Sequence, residues 1–219
     1  MQKVTFLTSD GVHIVGDWYP SEGDCFALLL HMMPATKESW KDFAEALNVH
    51  GVSCLAIDER GHGESNHKED GTEIRYKEFT DEEQMEKQLD VDAALAWLAE
   101  KGMVESKLAM VGASIGANLV ITTMGSHHEI PVGIALSPGV DYRGVKTVEP
   151  IKALTENQNI LLVASDEDDQ SFGSVNELNE IAKERTYRIV LGNMGHGTTM
   201  FENDPELLTQ CVEWITNKL

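Results

Sequence analysis

Basic residues are scarce in this chain. It has 17 Lys and Arg against 37 Asp and Glu over 219 residues, a formal net charge of −20. That deficit speaks against nucleic-acid and anionic-membrane partners, whose phosphates would be repelled. Cysteine is also sparse. Cys25, Cys54 and Cys211 are odd in number and widely spaced, which fits neither a disulfide framework nor a metal site and suits small core residues in a reducing compartment. No apolar run approaches the length of a membrane span. The first residues, Met1 to Thr5, lack the basic and apolar regions of a secretory signal, so a cytoplasmic location is the expectation. No repeat, linker or low-complexity segment divides the chain. No phosphate-binding loop or metal-ligand spacing is visible, and neither cofactor nor metal is expected.

What is present is an ordinary globular composition, 42% apolar and 25% charged, over a length that suits one domain spanning residues 1–219. Val4 to Leu7 and Val12 to Trp18 are strand-like, with Asp10-Gly11 as the turn of a hairpin. Phe26 to Leu30, Val52 to Ile57, Lys107 to Val111, Val132 to Leu136 and Ile160 to Ala164 are short continuous apolar runs, as expected of strands covered on both faces. Tyr187 to Leu191 reads as a last strand.

Between the strands the period changes. Trp40, Phe43 and Leu47 share a helix face that ends at Gly51, and Val91, Ala94, Leu95 and Leu98 share another. Thr80 to Glu83 and Ser174 to Glu177 have the form of capping boxes, and Asp204-Pro205 opens a final helix. Residues 60–79 form the longest loop. Strands alternating with helices predict an α/β fold, a mostly parallel sheet flanked by helices.

The chemistry concentrates at strand ends. Gly112-Ala113-Ser114-Ile115-Gly116 lies between a strand and a helix, the form of a nucleophile elbow. Such a turn strains the serine, presents its oxygen above the sheet and aims the next N–H, that of Ile115, at a developing oxyanion. The bland alternative is a serine that caps a helix. A serine nucleophile needs a base, and the base needs an orienting carboxylate. Parallel sheets place such groups after later strands. Asp166, Glu167, Asp168 and Asp169 follow one such strand, and Gly195-His196-Gly197 follows the next.

Taken with His31-Met32-Met33-Pro34 after the third strand and Asp58 to Ser65 after the fourth, these pieces cover nearly the whole chain. Together the chain resembles the α/β-hydrolase superfamily, close to its serine-esterase and dienelactone-hydrolase-like branch. The resemblance implies Ser114 as nucleophile, His196 as base and Asp168 as its carboxylate, with Asp166 and Asp169 close enough to compete. Most of the acidic cluster is expected to be a solvated loop. The resemblance also implies oxyanion donors at the backbone N–H groups of Ile115 and Met33, with Met32 as the fallback. The family's usual His-Gly is replaced by His31-Met32 here. His62 in Arg60-Gly61-His62-Gly63 reads as structural, with Asp58 and Arg60 fixing the turn. His127-His128 reads as a helix-end cation site.

Only about twenty residues separate Leu136 from Ile160, so no separate cap domain is expected. An open pocket walled by Met32, Met33, residues 137–139 and the segment from Glu64 to Phe79 suits small to medium acyl groups. The expected activity is hydrolysis of a small-molecule carboxylic ester. Thioester or lactone hydrolysis is the nearest alternative, and a non-catalytic binding protein on the same fold is the alternative of another class.

Overall fold

The computed structural model describes residues 1–219. Eight strands build one sheet in the order β1-β2-β4-β3-β5-β6-β9-β10. They are β1 Gln2–Leu7, β2 His13–Tyr19, β3 Cys25–Leu30, β4 Val52–Ile57, β5 Leu108–Ala113, β6 Val132–Leu136, β9 Asn159–Ser165 and β10 Thr186–Leu191. A separate two-stranded hairpin, β7 Asp141–Tyr142 with β8 Val145–Lys146, stands between β6 and β9. β2 pairs antiparallel with β1 and with β4, and every other pairing in the large sheet is parallel. The expected opening hairpin is there, and Gly11 takes φ +80 in its turn.

The continuous apolar runs are strands because both of their faces are covered. In β3, Phe26, Leu28 and Leu30 enter one core while Ala27 and Leu29 enter the other. α1 Lys41–Val49, α7 Thr199–Asn203 and α8 Pro205–Thr216 cover the second face. α3 Lys87–Glu100, α4 Ile115–Met124, α5 Val148–Lys152 and α6 Asp169–Ile181 cover the first. Each fully buried leucine contributes roughly 1.5–3 kcal/mol. The central strands β3, β4 and β5 are therefore the rigid base from which the loops at their carboxyl ends project. No helix is long and apolar enough to cross a membrane.

The capping box expected at Thr80 forms in full, at the start of the short α2, Asp81–Met85. The second expected box needs correction. Ser174 does not start a helix. α6 begins at Asp169, capped by the Asp168 side chain, and Ser174 lies inside it with its hydroxyl donating to the Gln170 carbonyl. A Ser-x-x-Glu pattern is compatible with a helix interior when the hydroxyl bonds back one turn. The segment between β6 and β9 holds the β7–β8 hairpin and α5, and no cap domain.

Candidate active site

β5 ends in a turn that only this glycine pattern permits. A Cβ on Gly112 would stand 2.2 Å from the Gly116 carbonyl oxygen, and one on Gly116 would stand 2.4 Å from the Leu30 carbonyl oxygen. The backbone between them is forced into a crowded path, and Ser114 sits at φ 54, ψ −118. A non-glycine residue pays a steric cost at positive φ, which persists only where the surroundings impose it. Ser114 occupies the N-cap position of α4, yet its side chain makes no capping hydrogen bond. The helix-capping alternative for this serine therefore has no support in the geometry. Ser114 is half-buried, and Ile115 begins the helix, where the first N–H groups have no intrahelical acceptor.

The carboxylate and the histidine meet as the strand order predicts. His196 Nδ1 and Asp168 Oδ2 lie 2.6 Å apart. The histidine side chain is 38% exposed and the aspartate 18%, so the pair is half-shielded from water. Burial pushes the Asp168 carboxyl up, but the hydrogen bonds from His196 and Ser171 outweigh it and hold the group below its ordinary value. Asp168 stays ionised and accepts from Nδ1, which leaves Nε2 of a neutral ring free of its proton.

Of the neighbouring carboxylates, Asp166 and Glu167 have their own partners. Asp166 accepts from the Asn193 N–H at 3.0 Å and Glu167 from the Gly195 N–H at 2.6 Å. Asp169 lies exposed in the first turn of α6. The cluster is solvated as expected, with Asp166, Glu167 and Asp169 exposed, and it is also a clamp in which three consecutive carboxylates each hold part of the histidine loop. Its charge run has no free members apart from Asp169.

Four further residues position this loop and left no motif in the sequence. Ser165 Oγ accepts from the Met194 N–H at 2.7 Å and also bonds Glu167. Ser137, at φ 51 after β6, accepts from the Gly197 N–H at 2.9 Å. Thr199 accepts from the His196 N–H at 3.0 Å and returns a bond to its carbonyl at 2.7 Å. Tyr142, on the β7–β8 hairpin, sets its ring edge-on to His196 with centroids 6.4 Å apart and bonds Ser171 through its hydroxyl. Ser-rich strand ends of this kind look like ordinary polar turns, so only the strand neighbours reveal what they hold.

On the other side of Ser114, His31 governs the loop after β3. The ring is fully buried. Its Nε2 accepts from the Glu59 N–H at 3.0 Å, so the proton resides on Nδ1 and is donated to the Met32 carbonyl, also at 3.0 Å. Burial depresses the His31 pKa and keeps the ring neutral. The Met32–Met33 peptide is trans, so pinning its carbonyl fixes its N–H in the opposite direction. Neither Met32 nor Met33 N–H has a backbone acceptor. The Met32 sulfur packs against Gly197, where an added Cβ would meet it at 2.5 Å.

Beneath this loop lies a buried ionic network. Asp58 accepts from Lys37 N–H and from Lys37 Nζ at 2.8 Å, and also from Glu64 N–H. Arg60 Nε donates to Asp90 at 2.8 Å, with Asp10 and Glu86 on its other nitrogens. Lys87 and Glu59 pair at 2.7 Å with no exposure at either. His62 stacks on Tyr76 at 3.8 Å, and burial drives its pKa down to about 2. The structural role expected for Asp58, Arg60 and His62 is what the contacts describe. His127, just past the end of α4, pairs at 2.7 Å with Glu105, twenty-two residues away in sequence.

A cleft of about 280 Å³ is lined by Met33, Pro34, Tyr76, Lys77, Gln84 and Arg143. Of the residues expected to wall the pocket, Met33, Tyr76 and Lys77 line this cleft, whereas Met32 does not, and neither Ser114 nor His196 is in its lining. Residues 137–139 are buried and hold Asn118, Thr147 and Gly197 instead of lining it. No cluster of His, Cys, Asp and Glu could hold a metal ion. The three cysteines are free, with Cys54 and Cys211 buried.

Comparison with known proteins fits this geometry. Residues 26–165 match the family described as "Serine aminopeptidase, S33". No curated protein sequence matches the chain. Among solved structures, an esterase of Pyrococcus furiosus superposes with a TM-score of 0.77 at 19% identity, over 99% of this chain and 90% of that one. Est1E of Butyrivibrio proteoclasticus, solved with ferulic acid bound, gives 0.76 at 15% identity, over 100% and 99%. Dienelactone hydrolase of Anabaena variabilis gives 0.69 at 15%, over 99% and 97%. At such identities these structures speak for the fold. The family match spans more than half of the sequence, from β3 through the elbow to β9, and the chain belongs to this α/β-hydrolase family and is a hydrolase.

Proposed function

We propose that the protein hydrolyses small to medium carboxylic esters through an acyl-enzyme formed on Ser114. The observation that carries the reading is the 2.6 Å pair of His196 and Asp168, on a loop whose Gly197 packs against Ala113, the residue before a strained serine that caps nothing. In the first step Ser114 Oγ attacks the ester carbonyl while His196 Nε2 takes its proton. The tetrahedral oxyanion accepts hydrogen bonds from the N–H groups of Ile115 and Met33. His196 then protonates the departing alcohol. Water repeats the sequence on the acyl-serine, releasing the acid and restoring the hydroxyl.

The role of Met33 follows from the pinned Met32 carbonyl, which substitutes for the glycine freedom that a His-Gly loop would have. Substrate size follows from the modest cleft and the lack of a cap. An aminopeptidase must receive a free α-ammonium, and the cleft offers it no carboxylate. The esterases and the dienelactone hydrolase among the structural neighbours are consistent with ester or lactone chemistry.

The test is turnover of a 4-nitrophenyl ester by the wild type and by Ser114→Ala, with fluorophosphonate labelling. The wild type is expected to turn over and to carry one adduct at Ser114, and the variant to lose both. Turnover by Ser114→Ala at the wild-type rate would overturn the assignment. A panel of ester, thioester and lactone substrates then ranks the acyl donors.

A further inference from the structure

We propose that the cleft beside Met33 binds a carboxylate carried by the ester substrate, so that the enzyme prefers acidic esters; this rests on the ester-hydrolase reading above. The argument starts from charge. The chain carries more than twice as many acidic as basic residues, and its overall field repels anions. The cleft reverses that balance. Its six lining residues include two cations, Lys77 and Arg143, and no carboxylate.

The two cations are differently held. Arg143 is fixed. Its Nε pairs with Asp81 at 2.8 Å and its Nη2 donates to the Phe79 carbonyl at 2.9 Å, while Nη1 has no protein partner. It also stands at φ 53 at the tip of the β7–β8 hairpin, followed by Gly144 at φ 85. Asn, Asp or Gly is the usual choice where a hairpin turn needs positive φ, and a long β-substituted side chain is disfavoured there. Lys77 makes no ion pair and lies 5.8 Å from the centroid of the Tyr76 ring. Asp81 offsets one unit of charge, which leaves a net cation facing the cleft. Met33 and Pro34 supply apolar wall to the same cleft, and Met33 belongs to the loop whose N–H is the proposed oxyanion donor. On the opposite side, the residue before Arg143 is Tyr142, edge-on to His196. A substrate spanning from the carbonyl to the cleft would therefore meet apolar surface first and positive charge at its far end. A carboxylate a few bonds from the scissile carbonyl matches that order, whether it belongs to the acyl part or to the alcohol.

The experiment compares matched pairs of esters on the intact protein. For the acyl side the pair is the 4-nitrophenyl half-ester of adipate against 4-nitrophenyl hexanoate. For the alcohol side it is 4-acetoxybenzoate against 4-acetoxybenzamide. The readout is the ratio of kcat/KM within each pair. In the wild type one ratio favours the anionic member, and it identifies the side on which the carboxylate lies. Lys77→Gln should lower that ratio about three- to fivefold, in line with an exposed charge contact, and Lys77→Glu about tenfold. Arg143→Lys should preserve more of it than Arg143→Gln. Salt at about 0.5 M should shrink it, because both cations are exposed and screening is then strong. Lys218→Gln, whose ammonium lies over the Tyr187 and Trp214 rings and outside the cleft lining, serves as the control and should leave the ratio alone. A ratio that favours neither anion in the wild type, or one that Lys77→Glu leaves unchanged, would overturn the proposal. Failure to cleave any of the four esters would instead remove the ester-hydrolase reading on which it rests.

Discussion

The two sides of Ser114 are held in place by opposite means. On the His31 side, the loop after β3 rests on Lys87–Glu59, Arg60–Asp90 and Lys37–Asp58, pairs with almost no exposure. On the His196 side, the loop after β10 is held by Asp166, Glu167 and Ser165 at the rim of the sheet, where β10 has a neighbour on one side only. Buried charges are costly to strand, because a lone ion in a low-dielectric interior keeps its desolvation penalty without its partner. Rim carboxylates that lose a bond regain water. The first side should therefore fail as a unit, and the second in small steps.

The largest expected effect comes from Asp168→Asn. Asn caps α6 about as well as Asp, so the fold should persist. The neutral amide no longer selects the His196 tautomer, and kcat should fall on the order of 10⁴-fold. A loss below tenfold in the 4-nitrophenyl ester assay would show that the rim carboxylate does not orient the base. Next in size is Lys87→Met. It leaves Glu59 buried without a cation, and Glu59 already has one oxygen without a partner. Denaturant unfolding should show a loss of about 3–5 kcal/mol, and a loss under about 1 kcal/mol would dissolve the contrast between the two sides.

A third outcome concerns acid. Burial keeps His62 neutral in the fold, with its pKa lowered from 6.5 to about 2, and lowers that of His31 as well. The unfolded chain binds these protons below pH 6.5 and the fold does not. Stability should therefore fall as pH drops through 6.5, by about 2 kcal/mol from His62 by pH 5. His62→Phe should flatten that slope, which unfolding curves across this range will measure. Smallest is Glu167→Gln. The amide oxygen can still accept from Gly195 N–H, so stability should change by no more than about 0.5 kcal/mol. A loss above about 2 kcal/mol would make the rim as brittle as the buried network.

Much of this architecture was legible because the relevant forces are local. Strands covered on both faces must be short apolar runs, and Phe26–Leu30 or Ile160–Ala164 could hardly fold otherwise. Ser114 and His196 announced themselves through glycines that tight turns require, and Asp168 through its place after β9. The rest acts at a distance. Lys87 and Glu59 stand twenty-eight positions apart, and nothing near either predicts that both are wholly buried. Ser137, Ser165 and Thr199 look like turn residues until the neighbouring strand is known. The start of α6 is hidden in the sequence for a related reason. Asp168 is claimed by His196 as well as by the helix, while Ser174 offered a cleaner capping pattern that the fold does not use.

The contact at Gly116 has a further consequence. The first turn of α4 lies directly on the Leu30 and His31 carbonyls, with no room for even one methyl group between them. The amides of Ile115 and Met33 thus ride on two main chains that touch. Their spacing is gauged by the radii of backbone atoms, and no side chain can widen or narrow it without lifting the helix from the sheet. Under the proposed function, variation in what the protein accepts is left to the cleft, whose walls are side chains and free to change.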